Sequence, residues 1–312
     1  MKSLKTTTNM FLRLYSLLVL ILDLIILLIE ICCSMLVAFY RTFNPPSLKS
    51  LNGEVAMVIG AGRGIGKEIA VQLSQLGVII ACVDINPENC NATVQCVIKL
   101  SGNAKPYICD VTNEDQVTAT VTKIILEIGE ITMLFHCCGF PSSHTLIREP
   151  PEIRKTINVS VLSHFWLLDS VLPSMQRAGR GHIVTLSSVA GLSGGKGNVP
   201  LSAAQFAVQG LAESLHTELR HSNSNIIITL VHVYPFIVRA ELVKDIRFRI
   251  PSYFGTMVAS EAAKKILDGV RKNYTEFSVP GYLLYIGFLL RMLPKKASFM
   301  LRDLLDTGVD FG

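Results

Sequence analysis

The sequence predicts an α/β fold: one doubly wound parallel sheet with helices on both faces, preceded by an apolar membrane helix. Three observations predict it. Short, continuous apolar runs alternate with longer amphipathic stretches, the pattern of parallel strands covered on both faces. A glycine-rich turn, Gly60-Ala-Gly-Arg63-Gly64-Ile65-Gly66, separates the first of these runs from the first amphipathic stretch. Ahead of both, residues 10–40 are nearly all Leu, Ile, Val, Met and Phe, enough to cross a bilayer as a helix.

The N-terminal segment, Met10 to Tyr40, is interrupted by Arg13, Asp23 and Glu30. Ser16, Asp23, Glu30 and Ser34 are spaced by seven, seven and four, so on one helix they form a narrow stripe. A carboxylate facing lipid is costly. The stripe fits a helix lying at the interface, a hairpin dipping into one leaflet, or a seam against a partner helix; a spanning helix that tolerates its acids is the alternative. Lys2, Lys5, Arg13, Arg41 and Lys49 lie on both sides and set no orientation. The apolar core is too long for a secretory signal and lacks a small-residue cleavage site. Cys32 and Cys33 read as small apolar residues of this helix, with S-acylation beside the membrane as the alternative.

Arg41–Asn52, with Pro45–Pro46, reads as a linker. The expected organisation is an anchor and flank over 1–44, a linker over 45–52, a dinucleotide-binding domain over 53–281 and an amphipathic tail over 282–312. Within the domain, strand-like runs fall at Val55–Ile59, Val78–Val83, Tyr107–Cys109, Thr132–Phe135, His182–Leu186 and Ile226–Val233. Helical stretches fall at Lys67–Leu76, Glu114–Ile128, Ile153–Met175 and Ser202–Arg220. The tail, Tyr282–Leu305, is apolar but cut by Pro294, too broken to span, and is expected to pack on the domain or touch the membrane.

The mean hydropathy of +0.44 reflects the N-terminal segment above all. A net charge of +5 from dispersed Lys and Arg, with no basic stripe carrying interleaved aromatics, excludes a nucleic-acid reading. The same mild balance suits an anionic membrane surface or a plainly solvated face. Eight cysteines show neither metal-ligand spacing nor a disulfide framework, so no metal is expected and the thiols fit a reducing compartment. The sequons at Asn91, Asn158 and Asn273 are then accidental if the domain faces the cytosol.

The glycine turn follows a strand and opens a helix, the context that makes it a Rossmann-type nucleotide site: glycines admit the pyrophosphate and the helix N-terminus supplies donors. Asp84, at the end of the second run, stands where an acid binds the adenosine ribose hydroxyls and repels a 2′-phosphate, favouring NAD(H) over NADP(H). Helix capping is the other role open to it.

These motifs resemble the short-chain dehydrogenase/reductase family over about Leu51 to Gly281. The turn is similar to the family's T-G-x-x-x-G-x-G, with Ile59 in the threonine position, and implies cofactor contacts at Gly60, Arg63, Gly64, Ile65 and Gly66. Asp110-Val111 resembles the adenine-contacting pair, and His136-Cys137-Cys138-Gly139 stands for the family's N-N-A-G, with Gly139 retained. Pro235-Phe-Ile-Val-Arg-Ala240 resembles the nicotinamide loop, Pro235 being kept and the amide-contacting threonine replaced by Ala240. Ser188 fits the catalytic serine and Asn158 the asparagine of the proton relay. The tyrosine and lysine positions hold Leu201 and Gln205, while Ser202 to Gly210 otherwise read like the family's helix.

In the family the tyrosine exchanges the proton as hydride moves, and the lysine lowers its pKa and binds the nicotinamide ribose. Leucine exchanges no proton, and losing positioned acid–base catalysis costs roughly a hundred- to ten-thousand-fold. His136, His232 and Tyr234 are the candidates to replace it, with a packing or loop role as the alternative for each. Arg239–Phe254 occupies the family's variable lid, and its Ile, Phe, Tyr, Lys and Arg suit a lipophilic ligand, a membrane surface or a packed surface helix.

With the anchor and Ser163-His-Phe-Trp166, the chain is most similar to membrane- and lipid-droplet-associated hydroxysteroid and retinol dehydrogenases. That resemblance implies endoplasmic reticulum or lipid-droplet membrane with a cytosolic domain, a retinoid, steroid or fatty-alcohol ligand, and a homodimer through the helices after the fourth and fifth strands. Three readings follow: an NAD(H)-binding homologue impaired in catalysis, an active oxidoreductase with a displaced acid, and a non-catalytic scaffold.

Overall fold

The computed structural model describes residues 2–139, 150–194, 198–222, 224–234, 245–248, 257–304 and 307–310. The chain divides into two compact units, Met1–Leu48 and Lys49–Gly312.

The first unit is one helix, α1 (Lys2–Phe43). Its apolar part, Leu12–Phe43, has the length and composition of a membrane span. At 1.5 Å per residue it is about 48 Å long, more than the roughly 30 Å of a hydrocarbon core. Among the described residues of its own unit, nothing covers the apolar side chains from Leu12 onward. The Ser16 hydroxyl donates to the Leu12 carbonyl at 2.8 Å, so this member of the polar stripe is satisfied inside the helix.

The second unit begins with β1 (Val55–Ile59), all five residues of which are buried. It continues through α2 (Gly64–Gln75), β2 (Ile79–Asp84), α3 (Pro87–Lys99), β3 (Asn103–Ile108), α4 (Glu114–Glu127) and β4 (Met133–His136). Then come α5 (Pro150–Ile157), a π-helical turn (Asn158–Leu162), α6 (Ser163–Ala178), β5 (Gly181–Ser188), a 3₁₀ turn (Val189–Gly191), α7 (Val199–His221) and β6 (Ile226–Val233). The chain closes with β7 (Asp245–Phe248), α8 (Ala259–Arg271), β8 (Glu276–Val279), α9 (Tyr282–Met292), α10 (Lys295–Leu304) and β9 (Thr307–Asp310).

Seven strands form one parallel sheet in the order β3-β2-β1-β4-β5-β6-β8. One face buries Ile69 and Leu73 of α2, Val94 and Val97 of α3, and Ile266 and Val270 of α8. The other buries Val121 and Ile124 of α4, Leu167 and Val171 of α6, and Val208 and Ala212 of α7. This is the doubly wound fold the sequence predicts.

Three differences have physical causes. β3 starts at Asn103 and buries only Ala104 and Tyr107, because it is an edge strand, which also accommodates Pro106. α8 and β8 close the far edge of the sheet without a long apolar run, so the apolar-run criterion misses them. Within Arg239–Phe254, for which the sequence left a ligand-facing segment, a membrane surface and a packed surface helix open, the described residues Asp245–Phe248 form a strand that pairs antiparallel with Thr307–Asp310, a partner supplied from the far end of the chain. In the C-terminal tail, α9 buries Leu283, Gly287 and Leu290 against the domain, and Pro294 separates it from α10.

Candidate functional site

The carboxyl ends of the parallel strands form a shelf, and strand order reverses between β1 and β4, where ligands of such sheets bind. On this shelf Gly60 turns the chain with φ +76°. Gly66 lies so close to the turn that a Cβ there would fall onto the Gly60 carbonyl, which keeps the first turn of α2 tight under the loop. Arg63 stands exposed at the N-terminal boundary of α2, making no side-chain cap hydrogen bond.

Asp84 ends β2 and ties the loop together. One carboxylate oxygen accepts the Gly62 N–H at 2.8 Å, the other the Asn86 N–H at 2.9 Å. Asn86 in turn caps α3, and the Thr93 hydroxyl of α3 donates to the Ala61 carbonyl at 2.8 Å. Asp110, at the end of β3, accepts the Thr112 N–H and hydroxyl at 2.9 and 2.8 Å, beside buried Val111. Gly139 follows β4 in an exposed position, and Pro235 and Ala240 lie outside the described residues. Gly60, Arg63, Gly64, Ile65, Gly66, Asp84, Asp110, Val111 and Gly139 thus share one edge, with backbone donors of a helix N-terminus and an acid beside them. A dinucleotide fits that donor and acceptor set.

At the other end of the shelf, Gln205 and the serines of β5 bond one another. Gln205, on the second turn of α7, is 6% exposed. Its carbonyl oxygen accepts the Ser188 N–H at 2.8 Å and the Ser187 hydroxyl at 2.9 Å, clasping the end of β5. Ser188 accepts the Ala190 N–H at 3.2 Å and caps the 3₁₀ turn. Leu201 is half-buried one turn before Gln205. Asn158 is half-buried at the start of the π-helical turn, whereas Ser160 of the same turn is buried, and its hydroxyl would lie 3.8 Å from a Cβ at Gly139.

The three side chains that stand nearest as substitute acids are differently placed. His136 is buried, its Nε2 is 2.7 Å from the Ser163 hydroxyl, and its ring stacks on His164 at 3.5 Å. Because the Ser163 hydroxyl also donates to the Val159 carbonyl at 2.7 Å, it accepts from His136. Burial, with the His164 ring beside it, lowers the His136 pKa well below its ordinary value, and burial lowers that of His164 to about 4. Both imidazoles are therefore neutral near pH 7 and carry no imidazolium proton to give. Burial also pushes the neighbouring Cys138 thiol up to about 12. His232 is fully buried and bound through Nε2 to Glu276 at 2.8 Å. Tyr234 follows β6, its N–H donating to the Val279 carbonyl at 3.2 Å.

Two features are invisible in the motif pattern. Arg291 of α9 reaches the loop after Ser188, donating to the Leu192 and Gly191 carbonyls at 3.0 and 3.1 Å, and lies over the Phe206 ring at 4.8 Å. Arg302 of α10 donates to the Gly194 carbonyl. Towards the amino ends of β5 and β6, Lys49 donates to His182 Nδ1 at 2.8 Å, and His182 Nε2 bonds the Thr229 hydroxyl at 2.8 Å. The hydroxyl passes its own proton to the Tyr274 carbonyl at 2.7 Å, completing a buried chain. Burial lowers the Lys49 pKa, and burial next to Lys49 lowers that of His182 to about 3.

Fold and glycine shelf together define a dinucleotide-binding α/β protein. Residues 54–250 match the family model for short chain dehydrogenases, and the chain belongs to that family. It is 30% identical to 17-beta-hydroxysteroid dehydrogenase 13 of Homo sapiens over 283 residues, covering 90% of this chain and 93% of that one. It is 28% identical to epidermal retinol dehydrogenase 2 of Mus musculus over 260 residues, covering 82% and 84%. These relatives belong to the family's hydroxysteroid and retinol dehydrogenase branch, and so does this chain. Among solved structures, a family member from Burkholderia phymatum in complex with NAD superposes with a TM-score of 0.69 at 21% identity, covering 78% of this chain and 95% of that one. A metagenomic short-chain oxidoreductase in complex with NADP gives a TM-score of 0.61 at 25% identity, covering 74% and 98%.

Proposed function

We propose that this protein is a membrane-anchored, NAD(H)-binding member of the hydroxysteroid and retinol branch whose own proton-transfer chemistry is impaired. The observation that carries the reading is the clasp at Gln205: the residue in the family's lysine position spends its carbonyl oxygen on Ser187 and Ser188. Leu201, in the tyrosine position, has no exchangeable proton. The nucleotide end keeps its glycine turn and Asp84. A bound nicotinamide would supply hydride chemistry, and these residues would hold it without a partner for the proton. Asp84 favours NAD(H), since a 2′-phosphate beside its carboxylate is repelled.

α1 supports anchoring in a membrane, the family resemblance supports the endoplasmic reticulum or lipid droplet with a cytosolic domain, and the names of the relatives support a retinoid, steroid or related lipophilic ligand. Residues 1–44 would serve as anchor and flank, 45–52 as linker, 53–281 as the dinucleotide-binding domain and 282–312 as the tail. A homodimer through α6 and α7 follows from the family resemblance. The complete burial of His232 and of His136 argues against either as a displaced acid.

The test is a fluorescence titration of NADH on the full-length protein, with retinol and estradiol oxidation assayed beside the Leu201→Tyr/Gln205→Lys variant. NADH binding with turnover confined to the variant supports the proposal. Wild-type turnover well above background, lost on Tyr234→Phe, overturns it, and absence of NADH binding favours a scaffold.

A further inference from the structure

Three buried polar atoms with no hydrogen-bond partner gather around one residue of the loop that follows the 3₁₀ turn, Gly194. They are the hydroxyl oxygens of Ser193 and Ser202 and Nε of Arg302. Ser193 adjoins Gly194 in the chain, the Ser202 hydroxyl would lie 3.9 Å from a Cβ at Gly194, and another nitrogen of the Arg302 guanidinium already donates to the Gly194 carbonyl. Ser202 is only 8% exposed.

The set leans towards donors: guanidinium only donates, and each hydroxyl, which can also accept, has a proton to give. No carboxylate with a described side chain pairs with Arg302. A buried donor left unmatched is costly, more so a charged one. Ser202 also stands in the first turns of α7, a helix of 23 residues whose N-terminus carries partial positive charge. What completes the group is an acceptor with negative charge. Apolar side chains stand on the same elements: Leu192 is buried, Leu201 is half-buried, and the Phe299 ring lies 5.5 Å from the Arg302 guanidinium.

We infer that Ser193, Ser202 and Arg302 form a carboxylate site and that its ligand is a lipophilic carboxylic acid. The anionic half stands on these atoms alone, and the lipophilic half rests on the function proposed above. An acid is not a substrate for transfer between alcohol and carbonyl, so a site for it suits a chain that lacks the proton donor at position 201. Such a ligand is held, not turned over.

The full-length protein is titrated in detergent with cis-parinaric acid and with its methyl ester, and sodium acetate is added as a competitor. The acid is expected to bind at least tenfold more tightly than the ester. Arg302→Leu is expected to weaken acid binding about tenfold and Ser202→Ala several-fold, with ester binding unchanged. Equal binding of acid and ester overturns the inference, as does unaltered acid binding in Ser202→Ala, a change too small to unfold the chain. Acetate binding without parinaric acid binding overturns the lipophilic assignment. NADH titration of the same sample reads the proposed function separately: its failure with acid binding retained counts against that function and not against the carboxylate site.

Discussion

Replacing Gln205 with leucine tests whether this residue is a structural clasp. The side-chain carbonyl holds two donors, the Ser188 N–H at 2.8 Å and the Ser187 hydroxyl at 2.9 Å, and is 6% exposed. Leucine has nearly the same volume, so the cavity contribution is small. The Ser188 N–H loses its partner, at about 1–3 kcal/mol, and the Ser187 bond adds about 1 kcal/mol, for a total of about 2–4 kcal/mol. For a domain of this size each kcal/mol moves the melting temperature by about 2–4 °C, so Gln205→Leu is expected to melt roughly 5–15 °C lower. Gln205→Lys offers donors and no acceptor, so restoring the family residue alone costs at least as much. The assay is scanning fluorimetry of the full-length protein at one fixed scan rate, because unfolding of such a chain is read as an operational stability. Melting of both variants within about 2 °C of wild type would refute the clasp.

Asp84→Ser is expected to weaken NADH binding about tenfold and to improve the NADPH-to-NADH ratio, read by fluorescence titration; an unchanged ratio removes Asp84 from cofactor selection. Gly66→Val is expected to abolish NADH binding, since its side chain meets the Gly60 carbonyl, and retained affinity would contradict the tight turn. Arg291→Met removes the donors held by Leu192 and Gly191 and is expected to cost about 1–3 kcal/mol, measured by denaturant unfolding. His164 and His182, lowered to about 4 and about 3, are neutral when folded and take up protons on unfolding below their ordinary value of 6.5. Their contribution is therefore complete above pH 6.5 and lost as pH falls, about 2 kcal/mol per histidine at pH 5. A flat stability between pH 7 and pH 5 would contradict the burial of both.

Much of the nucleotide end was legible because its signals are local. Gly60 to Gly66 are consecutive, and Asp84 ends an apolar run, so a strand, a turn and an acid are read from adjacent letters. The edges of the sheet were less legible. β3 buries two residues of six and β8 is four residues long, so neither shows the apolar run that marks a central strand. The strand at Asp245–Phe248 was not legible because its pairing partner, Thr307–Asp310, lies some sixty residues away along the chain.

By itself, the sequence determined the parallel sheet, the apolar N-terminal helix, the glycine turn and the absence of an exchangeable proton at Leu201. Each follows from residue type and short-range order, which packing does not alter. Only the tertiary structure decided what Gln205 does with its amide, that Arg291 and Arg302 grip the loop after Ser188, and that His182 shares a buried chain with Lys49. Those contacts join residues separated by 17 positions for Gln205, about a hundred for Arg291 and 133 for Lys49. Their partners are chosen by which strand ends and helices the folded sheet brings together, and no local pattern of residues encodes that choice.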